Sequence, residues 1–522
     1  MSKIIDAATL RDLWRQGEDV ALFDLREEGP YSLAHPFWAV SLPIAQIELR
    51  IRPLVPRLSA PIVVYDDGEG LTTRGAQRIA ALGYTDVRVL DGGLAAYRRE
   101  GEVFRDVNVP SKAFGELVEA IRHTPSAPAQ EVKQLIDTEA NLVVLDGRRF
   151  EEFHTMSLPR GRSVPNGELA LRIHDIAPDP ATTIIINCAG RTRSIIGTQT
   201  LINLGLPNRV LALRNGTIGW TLAGQSLEHG ATDRFPAASN AGQAKAQLAA
   251  KSLADKVGVR VIDAQTLARW QAEADRRTLY QLDVRTPEEY AAGHINGFTS
   301  APGGQLVQAT DEWVAVRGGR LVLFSDDTAR ALTTASWLVQ AGWEAVVLAA
   351  DALAATSRET PQTRFTQPHK VPSIEPHELA ALGNAVTVID LGPSPGYRRG
   401  HIPGAWFIAG SHLADLARLP GDGPLVVTST DGALAGAHAD DIAAAASRPV
   451  SWLVGGNTAW QSAGSALVKD NPLWASQPDD VYKRPYEGTD SQESAMQAYI
   501  DWELQLVAQL ANDGISRFHV VR

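Results

Sequence analysis

The feature that most constrains the fold is a pattern that occurs four times along the chain. In each copy a short apolar run ends in Asp, and a second apolar run enters a loop at a nearly constant distance from that Asp. The strand-end residues are Asp24, Asp146, Asp283 and Asp390, and the loops begin at Asp66, Cys188, Ser325 and Ser429. The distances are 42, 42, 42 and 39 residues. Agreement this close predicts four copies of one structural unit.

Within each copy, apolar runs alternate with helical patterns. Three of the helical patterns end at Gly83, Gly205 and Gly342, where glycine commonly terminates a helix. A third strand is followed by a Gly-bearing turn at Gly92–Gly93, Asn215–Gly216 and Gly455–Gly456. The third copy has Ala349–Ala350 at this place and lacks the glycines. Alternation of strand and helix predicts an α/β fold in which each copy is a mainly parallel sheet flanked by helices.

We place the domains by the limits of these patterns and by the changes of composition between them. An Ala-rich stretch, 237–256, is predicted to be a helix that connects the second and third copies. The C-terminal tail ends in a predicted amphipathic helix near Glu493 to Leu510, which we expect to pack against a neighbouring domain. The predicted boundaries are 1–105, 125–235, 256–358 and 371–470 for the four domains and 471–522 for the tail.

The second copy contains the only cysteine of the sequence, Cys188. It follows a β-branched run and precedes a predicted helix, so its loop lies at the carboxyl edge of the sheet, where α/β proteins bind ligands. Helix N-termini and arginines favour anions and lower the pKa of a thiol. We therefore expect a reactive thiolate here rather than the small buried apolar residue that a lone Cys often is. The residues expected to surround the thiolate and bind substrate are Ala189, Gly190, Arg191, Thr192, Arg193 and Ser194.

The equivalent loops of the other three copies lack the thiol. Their first residues are Asp66, Ser325 and Ser429, and two of them carry further carboxylates nearby. Carboxylates would repel an anionic substrate and oppose the helix dipole. These three domains are predicted to be catalytically silent.

These motifs resemble those of the rhodanese family of sulfurtransferases. The segment Asp283–Tyr290 with Gly293-His294-Ile295 is similar to the first family signature, Gly400–Ala405 repeats part of it, and the Cys188 loop is similar to the second signature. The resemblance covers nearly the whole chain as four tandem rhodanese-like domains. It implies that Cys188 takes sulfane sulfur from a donor, becomes a persulfide, and passes the sulfur to a thiophilic acceptor.

The resemblance also implies that Arg148 orients the donor. A structural role for Arg148 stays open, because Arg26 and Arg285 hold the same place in copies without a thiol. Thiosulfate is the first-choice donor, since Arg191 and Arg193 suit a dianion. Mercaptopyruvate and a low-molecular-weight persulfide are the nearest alternatives, and the acceptor is a thiol or cyanide.

Other functions remain open at this point. The spacing from Cys188 to Arg193 is C-x4-R, one residue shorter than the C-x5-R loop of phosphatases on similar folds, which makes phosphatase activity the lesser interpretation. A redox sensor or sulfur-carrier scaffold would use Cys188 as a docking thiol with little turnover. A binding module with vestigial catalysis is a third possibility.

Composition and sequence motifs limit the classes of partner and cofactor that the chain is expected to bind. A net charge of −11 and a pI near 5.6 argue against nucleic-acid binding, and no apolar run approaches a membrane span. Phosphate-loop and dinucleotide motifs are absent, and the histidines show no metal-ligand spacing, so neither a metal nor another cofactor is expected.

His35, His294 and His401 each lie 11 residues after a strand-end Asp, which favours a role for them as hydrogen-bonded turn residues. One cysteine and the absence of a signal-peptide pattern predict a cytoplasmic protein, while the oligomeric state stays open.

Overall fold

The computed structural model describes residues 3–138, 140–359, 361–365 and 370–522. The described residues form four parallel sheets, one in each repeat. The strands of the first repeat and its short antiparallel pair are β1 (Lys3–Ile5), β2 (Ala21–Asp24), β3 (His35–Pro36), β4 (Ala39–Ser41), β5 (Ile62–Tyr65), β6 (Val87–Leu90) and β7 (Val103–Phe104). Its helices are α1 (Ala7–Gln16), α2 (Glu28–Leu33), α3 (Ile47–Leu54), α4 (Thr72–Ala81) and α5 (Gly93–Tyr97), with a 3₁₀ turn at Ile44–Gln46.

The second repeat is preceded by a helix. Its helices, with the preceding one first, are α6 (Val109–Arg122), α7 (Ala129–Asp137), α8 (Phe150–Thr155), α9 (Asn166–Ile176), α10 (Thr192–Asn203) and α11 (Gly216–Leu222). Its strands are β8 (Ser126–Ala127), β9 (Leu142–Asp146), β10 (Gly161–Ser163), β11 (Thr183–Asn187) and β12 (Val210–Leu213).

The third repeat begins after the predicted connecting helix, which the structure confirms as α12 (Asn240–Val257). The other helices are α13 (Ala264–Ala272), α14 (Pro287–Ala292), α15 (Gly303–Gln308) and α16 (Ala329–Gln340), with a 3₁₀ turn at Thr310–Glu312. The strands are β13 (Arg260–Ile262), β14 (Leu279–Asp283), β15 (Thr299–Ser300), β16 (Arg320–Phe324) and β17 (Glu344–Leu348).

The fourth repeat is followed by the helical tail. The strands are β18 (Ser373–Ile374), β19 (Thr387–Asp390), β20 (Trp406–Phe407), β21 (Leu425–Thr428), β22 (Val450–Leu453) and β23 (Leu473–Trp474). The helices of this repeat are α17 (Pro376–Leu382), α18 (Ser394–Arg399), α19 (Ala433–Ala445) and α20 (Gly456–Ser462), with 3₁₀ turns at Gly383–Ala385 and Leu413–Arg418. The tail holds α21 (Glu493–Glu503) and α22 (Leu506–Asp513). The prediction of one tail helix was wrong, because the chain turns at Leu504 and Gln505.

All four sheets have the same strand order, which confirms the predicted repeat and fold class. With the first five strands of each sheet counted in chain order, the first lies at one edge and is followed by the fifth, the fourth, the second and the third. In the fourth repeat, β23 extends the sheet beyond β20 as a sixth strand. Every pairing within these sheets is parallel, and in each repeat the strand-end Asp lies opposite the residue that immediately precedes the loop. These opposed pairs are Asp24 with Tyr65, Asp146 with Asn187, Asp283 with Phe324, and Asp390 with Thr428.

In three repeats, the Gly-bearing turn is hydrogen-bonded to the backbone of the loop. The N–H groups of Leu94, Thr217 and Asn457 donate to the carbonyls of Asp66, Cys188 and Ser429 at 3.0, 2.8 and 2.9 Å. The preceding glycine of the second repeat, Gly216, has φ +56°, and a Cβ on it would lie 2.3 Å from the Cys188 carbonyl oxygen. Glycine is therefore needed both for the backbone conformation and for the close approach to the loop.

The three recurring histidines are structural, as their recurrence predicted. Each ring is stacked on a tyrosine, with centroid distances of 4.1, 4.0 and 4.4 Å for His35, His294 and His401. One ring nitrogen of each lies within hydrogen-bond distance of a backbone carbonyl in its own turn. They fix the connection between the second and third strands of their sheets.

The described residues divide into two compact units. One unit comprises those of Met1–Leu10, Ala21–Val107 and Gln362–Lys483, which contain most of the first and fourth repeats. The second compact unit comprises those of Arg11–Val20, Asn108–Pro361 and Arg484–Arg522, which contain the second and third repeats and the tail helices. No helix within the described residues is both long and apolar enough to cross a membrane.

The tail packs against the second repeat, as the sequence predicted. Helix α21 contacts α6 and α11, and α22 contacts α6. Farther along the tail, Phe518 and Val520 pack against a cluster that includes Phe114 of α6 and Trp337 of α16. The tail is therefore an integral part of the second compact unit.

Candidate active site

The Cys188 loop connects β11 to α10 and is buried along its length. Cys188 is 1% exposed, and the residues that follow it up to Ser194 are also buried. The Cys188 Sγ lies 3.5 Å from the Ser194 Oγ, and the Ser194 hydroxyl donates to the Arg191 carbonyl at 2.8 Å. The Thr217 and Ile218 N–H groups of α11 donate to the carbonyls of Cys188 and Ala189. The loop is therefore held in one conformation around the sulfur atom.

The position of Cys188 has the same local role in every repeat. The Asp66 carboxylate accepts from the N–H of Thr72 at 3.3 Å, the Ser325 hydroxyl from that of Ala331 at 3.2 Å, and the Ser429 hydroxyl from that of Ala435 at 3.2 Å. Each donor lies six residues after the first residue of its loop, which is the place of Ser194 in the second repeat. These side chains satisfy N–H groups at the start of the next helix. The catalytic silence of the three loops stays a prediction.

Both arginines of the loop are paired with carboxylates. Arg191 donates through Nε and Nη2 to the two oxygens of Glu116, at 2.8 Å each, and also to Glu119. Arg193 donates through Nη1 and Nη2 to the two oxygens of Glu152, at 2.7 and 2.8 Å. The sequence predicts that these arginines suit a dianionic donor, and the folded chain brings three glutamates from α6 and α8 against them.

Glu152, the carboxylate that pairs with Arg193, has its pKa lowered. Burial alone would raise the pKa of Glu152, but the charge and the two hydrogen bonds of Arg193 outweigh it and lower that pKa to about 2. The pair orients Arg193, whose charge acts on the Cys188 thiol. Asn166 Nδ2 adds a hydrogen bond of 2.8 Å to the Arg193 carbonyl.

The tail covers the loop. A Cβ on Gly190 would lie 3.1 Å from Glu503 Oε2 and 3.1 Å from the Tyr499 ring, so α21 rests directly on the loop at this glycine. Sequence reasoning missed this cover, because Tyr499 and Glu503 follow Cys188 by more than 300 residues and carry no motif of their own. Glycine at position 190 is what allows the helix to come so close.

Lys112 of α6 lies beneath the same part of the tail. It is 1% exposed, and its Nζ lies 5.8, 5.2 and 5.5 Å from the ring centroids of Tyr486, Tyr499 and Trp502. Distances below about 6 Å are those of cation–π contacts. Three aromatic rings of the tail thus enclose an ammonium group of the second compact unit and help to fix α21 over the loop.

The pKa of the Cys188 thiol is raised, in contrast to the expectation from the sequence. Burial is the main cause, and the charge of Glu503 adds to it. Arg193 and the hydrogen bonds of Ser194 act in the opposite direction and only partly offset the burial. The covered form of the site therefore holds the thiol in its protonated state near neutral pH.

Glu503 is the second titratable group at the loop. Its Oε1 accepts from the Tyr499 hydroxyl at 2.9 Å, while its Oε2 is buried without a hydrogen-bond partner among the described residues. Burial, followed by the charge of Glu116, raises the pKa of Glu503 to about 8. Cys188 and Glu503 are thus two acids whose protonated forms are favoured by the same enclosure.

Arg148 has the contacts of a structural residue. It is 1% exposed, its Nε donates to Asp146 Oδ1 at 2.9 Å, and its Nη2 donates to Asp146 Oδ2 at 2.7 Å. Arg26 and Arg285 make the same 2.9 Å contact to the strand-end Asp of their own repeats. The recurrence favours the structural role that the sequence left open over the orientation of a donor.

Of the residues predicted to form the site, Cys188, Arg193 and Ser194 are brought together by direct interactions. Ala189 and Gly190 are the points at which α11 and α21 meet the loop. Thr192 opens α10, and its Cγ2 lies 2.7 Å from where a Cβ on Gly115 of α6 would be. Within the described residues, no group of three or more His, Cys, Asp or Glu side chains is arranged to hold a metal ion.

Comparisons with known proteins identify the family of the chain. A family model described as the rhodanese-like domain matches residues 6–100, 128–223, 250–355 and 375–463. Among solved structures, a thiosulfate sulfurtransferase from Pseudomonas aeruginosa is 50% identical, covers 100% of both chains and has a TM-score of 0.97. A rhodanese-related protein from Thermoplasma volcanium is 22% identical over 19% of this chain and 99% of its own, with a TM-score of 0.18. A comparison with curated protein sequences gives no match.

Proposed function

We propose that this chain, which belongs to the rhodanese-like family, is a sulfurtransferase in which Cys188 carries sulfane sulfur. One observation supports this most directly. The only thiol of the chain stands at the start of a loop whose equivalents in three other repeats hold oxygen atoms, and it is the loop that Arg193 and Ser194 surround. The 50% identity over the full length of the thiosulfate sulfurtransferase from Pseudomonas aeruginosa supports the same reaction class.

In the first half-reaction, the Cys188 thiol loses its proton to water, and the resulting thiolate attacks the outer sulfur of the donor. With thiosulfate, the sulfur–sulfur bond of the donor breaks, its electron pair leaves with sulfite, and Cys188 becomes a persulfide anion. The charge of Arg193 and the Ser194 hydrogen bonds, which favour the thiolate, would favour the persulfide anion for the same reason. The Arg193 charge and the Ser194 backbone N–H group are in place before the reaction.

In the second half-reaction, the acceptor takes the outer sulfur. Cyanide attacks it through carbon, the Cys188 sulfur–sulfur bond breaks, and the thiolate is restored as thiocyanate leaves. A thiol acceptor would follow the same path and release its own proton. We keep thiosulfate as the first-choice donor, and mercaptopyruvate and a small persulfide as alternatives within the same class. A cytoplasmic location also stays a proposal from the sequence.

The decisive experiment measures thiocyanate formation from thiosulfate and cyanide. We expect Cys188→Ser to lower the rate by at least about a thousandfold, because the oxygen nucleophile cannot carry the sulfur. Ser429→Ala is the matched control, since it alters the same position of the fourth repeat and should leave the rate unchanged. Equal rates for the wild type and Cys188→Ser would rule out the proposal.

Mass spectrometry tests the intermediate. Exposure to thiosulfate without an acceptor should add about 32 Da to Cys188, one sulfur atom. A redox sensor or docking scaffold would instead show a modified Cys188 and no sustained turnover. Turnover without an adduct at Cys188 would contradict the persulfide route.

A further inference from the structure

Glu503 of α21 has an unused hydrogen-bonding atom next to the Cys188 loop. Its side chain is 1% exposed, and its Oε2 has no hydrogen-bond partner among the residues that the structure describes. The same Oε2 lies 3.1 Å from where a Cβ on Gly190 would be, two residues after the cysteine. A buried polar atom without a partner costs free energy, so its position at this loop calls for an explanation.

A hydrogen bond from Tyr499 determines which oxygen of Glu503 carries the proton of the neutral acid. The Tyr499 hydroxyl donates to Oε1 at 2.9 Å, so Oε1 acts as an acceptor. A protonated carboxyl group has one O–H donor. That donor is therefore on Oε2, the oxygen that lies against Gly190.

The groups around Glu503 favour this neutral form. Burial has the largest effect on the pKa of Glu503, and the charge of Glu116 raises it further. Lys112, the Tyr499 hydroxyl and Arg191 act in the opposite direction but do not outweigh burial, so the pKa is about 8. Arg191 donates to both oxygens of Glu116, and Lys112 lies against three aromatic rings of the tail. Glu503 is therefore mainly an acid at neutral pH.

The arginines of the loop already form ion pairs. Arg191 donates to two glutamates of α6, and Arg193 donates to both oxygens of Glu152. The Glu503 acid differs from them, because its Oε2 has no partner within the described part of the chain. Glu503 is also close enough to Cys188 for its charge to act on the thiol.

We propose that Glu503 is the general acid of the first half-reaction, in which its Oε2 donates to an oxygen of thiosulfate and protonates the sulfite that leaves. This inference rests on the sulfurtransferase function proposed above. As the Cys188 thiolate bonds to the outer sulfur, the sulfur–sulfur bond of thiosulfate breaks and its electron pair goes to sulfite. The Oε2 proton moves to a sulfite oxygen, so hydrogen sulfite leaves and Glu503 becomes a carboxylate. Glu503 then regains a proton from water.

The basicity of the leaving group explains why an acid is useful here. General acids contribute on the order of 10²–10⁴-fold to a rate when they are positioned at the group that gains charge. Sulfite is a base that is partly protonated near neutral pH, so it is well matched to an acid with a pKa of about 8. An alkanesulfinate is a much weaker base and gains little from the same donor.

The test compares two donors that differ in their leaving group. Methanethiosulfonate has a methyl group in place of one oxygen of thiosulfate and releases methanesulfinate. Persulfide formation on Cys188 is followed in single turnovers without an acceptor. Glu503→Gln keeps an N–H donor but cannot transfer a proton, so its rate with thiosulfate at pH 7 should fall about tenfold or more. Its rate with methanethiosulfonate should be unchanged or higher, because loss of the Glu503 charge lowers the thiol pKa.

A control variant and a pH series complete the test. Glu493→Gln changes an exposed residue of the same helix and should react with both donors like the wild type. In the wild type, the ratio of the thiosulfate rate to the methanethiosulfonate rate should fall as the pH rises past about 8, because Glu503 loses its proton. In Glu503→Gln the ratio should stay constant. The wild-type series does not depend on how well the variant folds.

Three results would overturn the inference. Equal slowing of both donors in Glu503→Gln would indicate a structural role for Glu503. A thiosulfate rate in Glu503→Gln that equals or exceeds that of the wild type would show that only its negative charge matters. A wild-type ratio that does not change with pH would show that no proton is transferred. Failure of the proposed function would look different, since the wild type would then form no persulfide with either donor.

Discussion

The Cys188 thiol and the Glu503 carboxyl lie in the same enclosure, and burial favours the uncharged form of each. Because both pKa values are raised, the two groups are mainly protonated at pH 7. The negative charge of ionised Glu503 raises the pKa of the Cys188 thiol further, so loss of the Glu503 proton makes loss of the thiol proton harder. Reactivity of Cys188 in the covered site should therefore increase as the pH rises beyond neutral, and should not plateau in the acidic range.

Replacing Glu503 tests the effect of its charge on the pKa of the Cys188 thiol. In Glu503→Gln the neutral amide removes the negative charge that raises the Cys188 pKa, so the pH profile of alkylation by iodoacetamide should move to lower pH. Glu493→Gln, on the exposed part of the same helix, is the matched control and should leave the profile in place. A Glu503→Gln profile that moves to higher pH would contradict the assignment.

The Arg193–Glu152 pair makes a prediction about stability. The folded-state pKa of Glu152, about 2, lies below the ordinary value of 4.5, so the pair stabilises the fold fully above that value and loses its contribution as the pH falls toward 2. With Glu152 31% exposed, we expect Glu152→Gln to cost about 1–3 kcal/mol at pH 7 and much less near pH 2.

Urea unfolding at several pH values measures this effect. Glu151→Gln changes the neighbouring exposed carboxylate and should differ little from the wild type throughout. A difference between the wild type and Glu152→Gln that grows as the pH falls would show that the sign is wrong.

At the scale of structural elements, the repeated strands, helices and turns were predictable from the sequence. The covering of the Cys188 loop by α21 was not. The strand-end Asp and the residue that precedes the loop lie opposite each other in adjacent strands. The number of residues between them is therefore fixed by the sheet and is visible in the sequence. The turn glycines were also visible, since a positive φ leaves few alternatives. The break between α21 and α22 was not, because the apolar spacing that buries Tyr499, Ile500, Leu506 and Leu510 runs across both helices.

Gly216, which packs against the Cys188 loop, gives a prediction at the scale of structural elements. Gly216→Ala places a Cβ 2.3 Å from the Cys188 carbonyl oxygen at a φ of +56°, and should cost roughly 2–4 kcal/mol of stability and disturb the loop. Gly224→Ala has a similar φ, +73°, but no atom within 4 Å, so it should cost only about 1 kcal/mol. The two variants, compared by thermal unfolding, separate backbone strain from contact with the loop. Equal losses would show that the contact contributes nothing.

At the scale of the whole chain, the candidate site is completed by a segment that is remote in sequence. Single-sequence patterns identify the Cys188 loop, since its residues are contiguous. They do not identify Glu116, Glu152 or Glu503 as its neighbours, because those contacts arise from packing among α6, α8 and α21. The prediction of a low thiol pKa was wrong for this reason.

Removal of the tail tests its covering role. A chain ending at residue 483 lacks Tyr499 and Glu503, so the Cys188 thiol should become accessible and its alkylation by iodoacetamide should accelerate on the order of tenfold or more at pH 7. A chain ending at residue 514 keeps α21 and α22 and is the matched control, with a rate near that of the full chain. Circular dichroism checks that the repeats remain folded. An unchanged rate in the shorter chain would show that α21 does not limit access.

In each repeat, the side chain at the first position of the loop lies near the residue six positions later, and this shared arrangement has a further consequence. Ser325 and Ser429 make this contact through oxygen, at the place where the second repeat has sulfur. The fold thus accommodates either oxygen or sulfur at this point. If the loops without a thiol are silent, as the sequence predicts, the exchange of a single atom separates a structural repeat from a reactive one. A tandem chain built in this way can concentrate its reactivity in one copy while the remaining copies are free to serve cohesion alone.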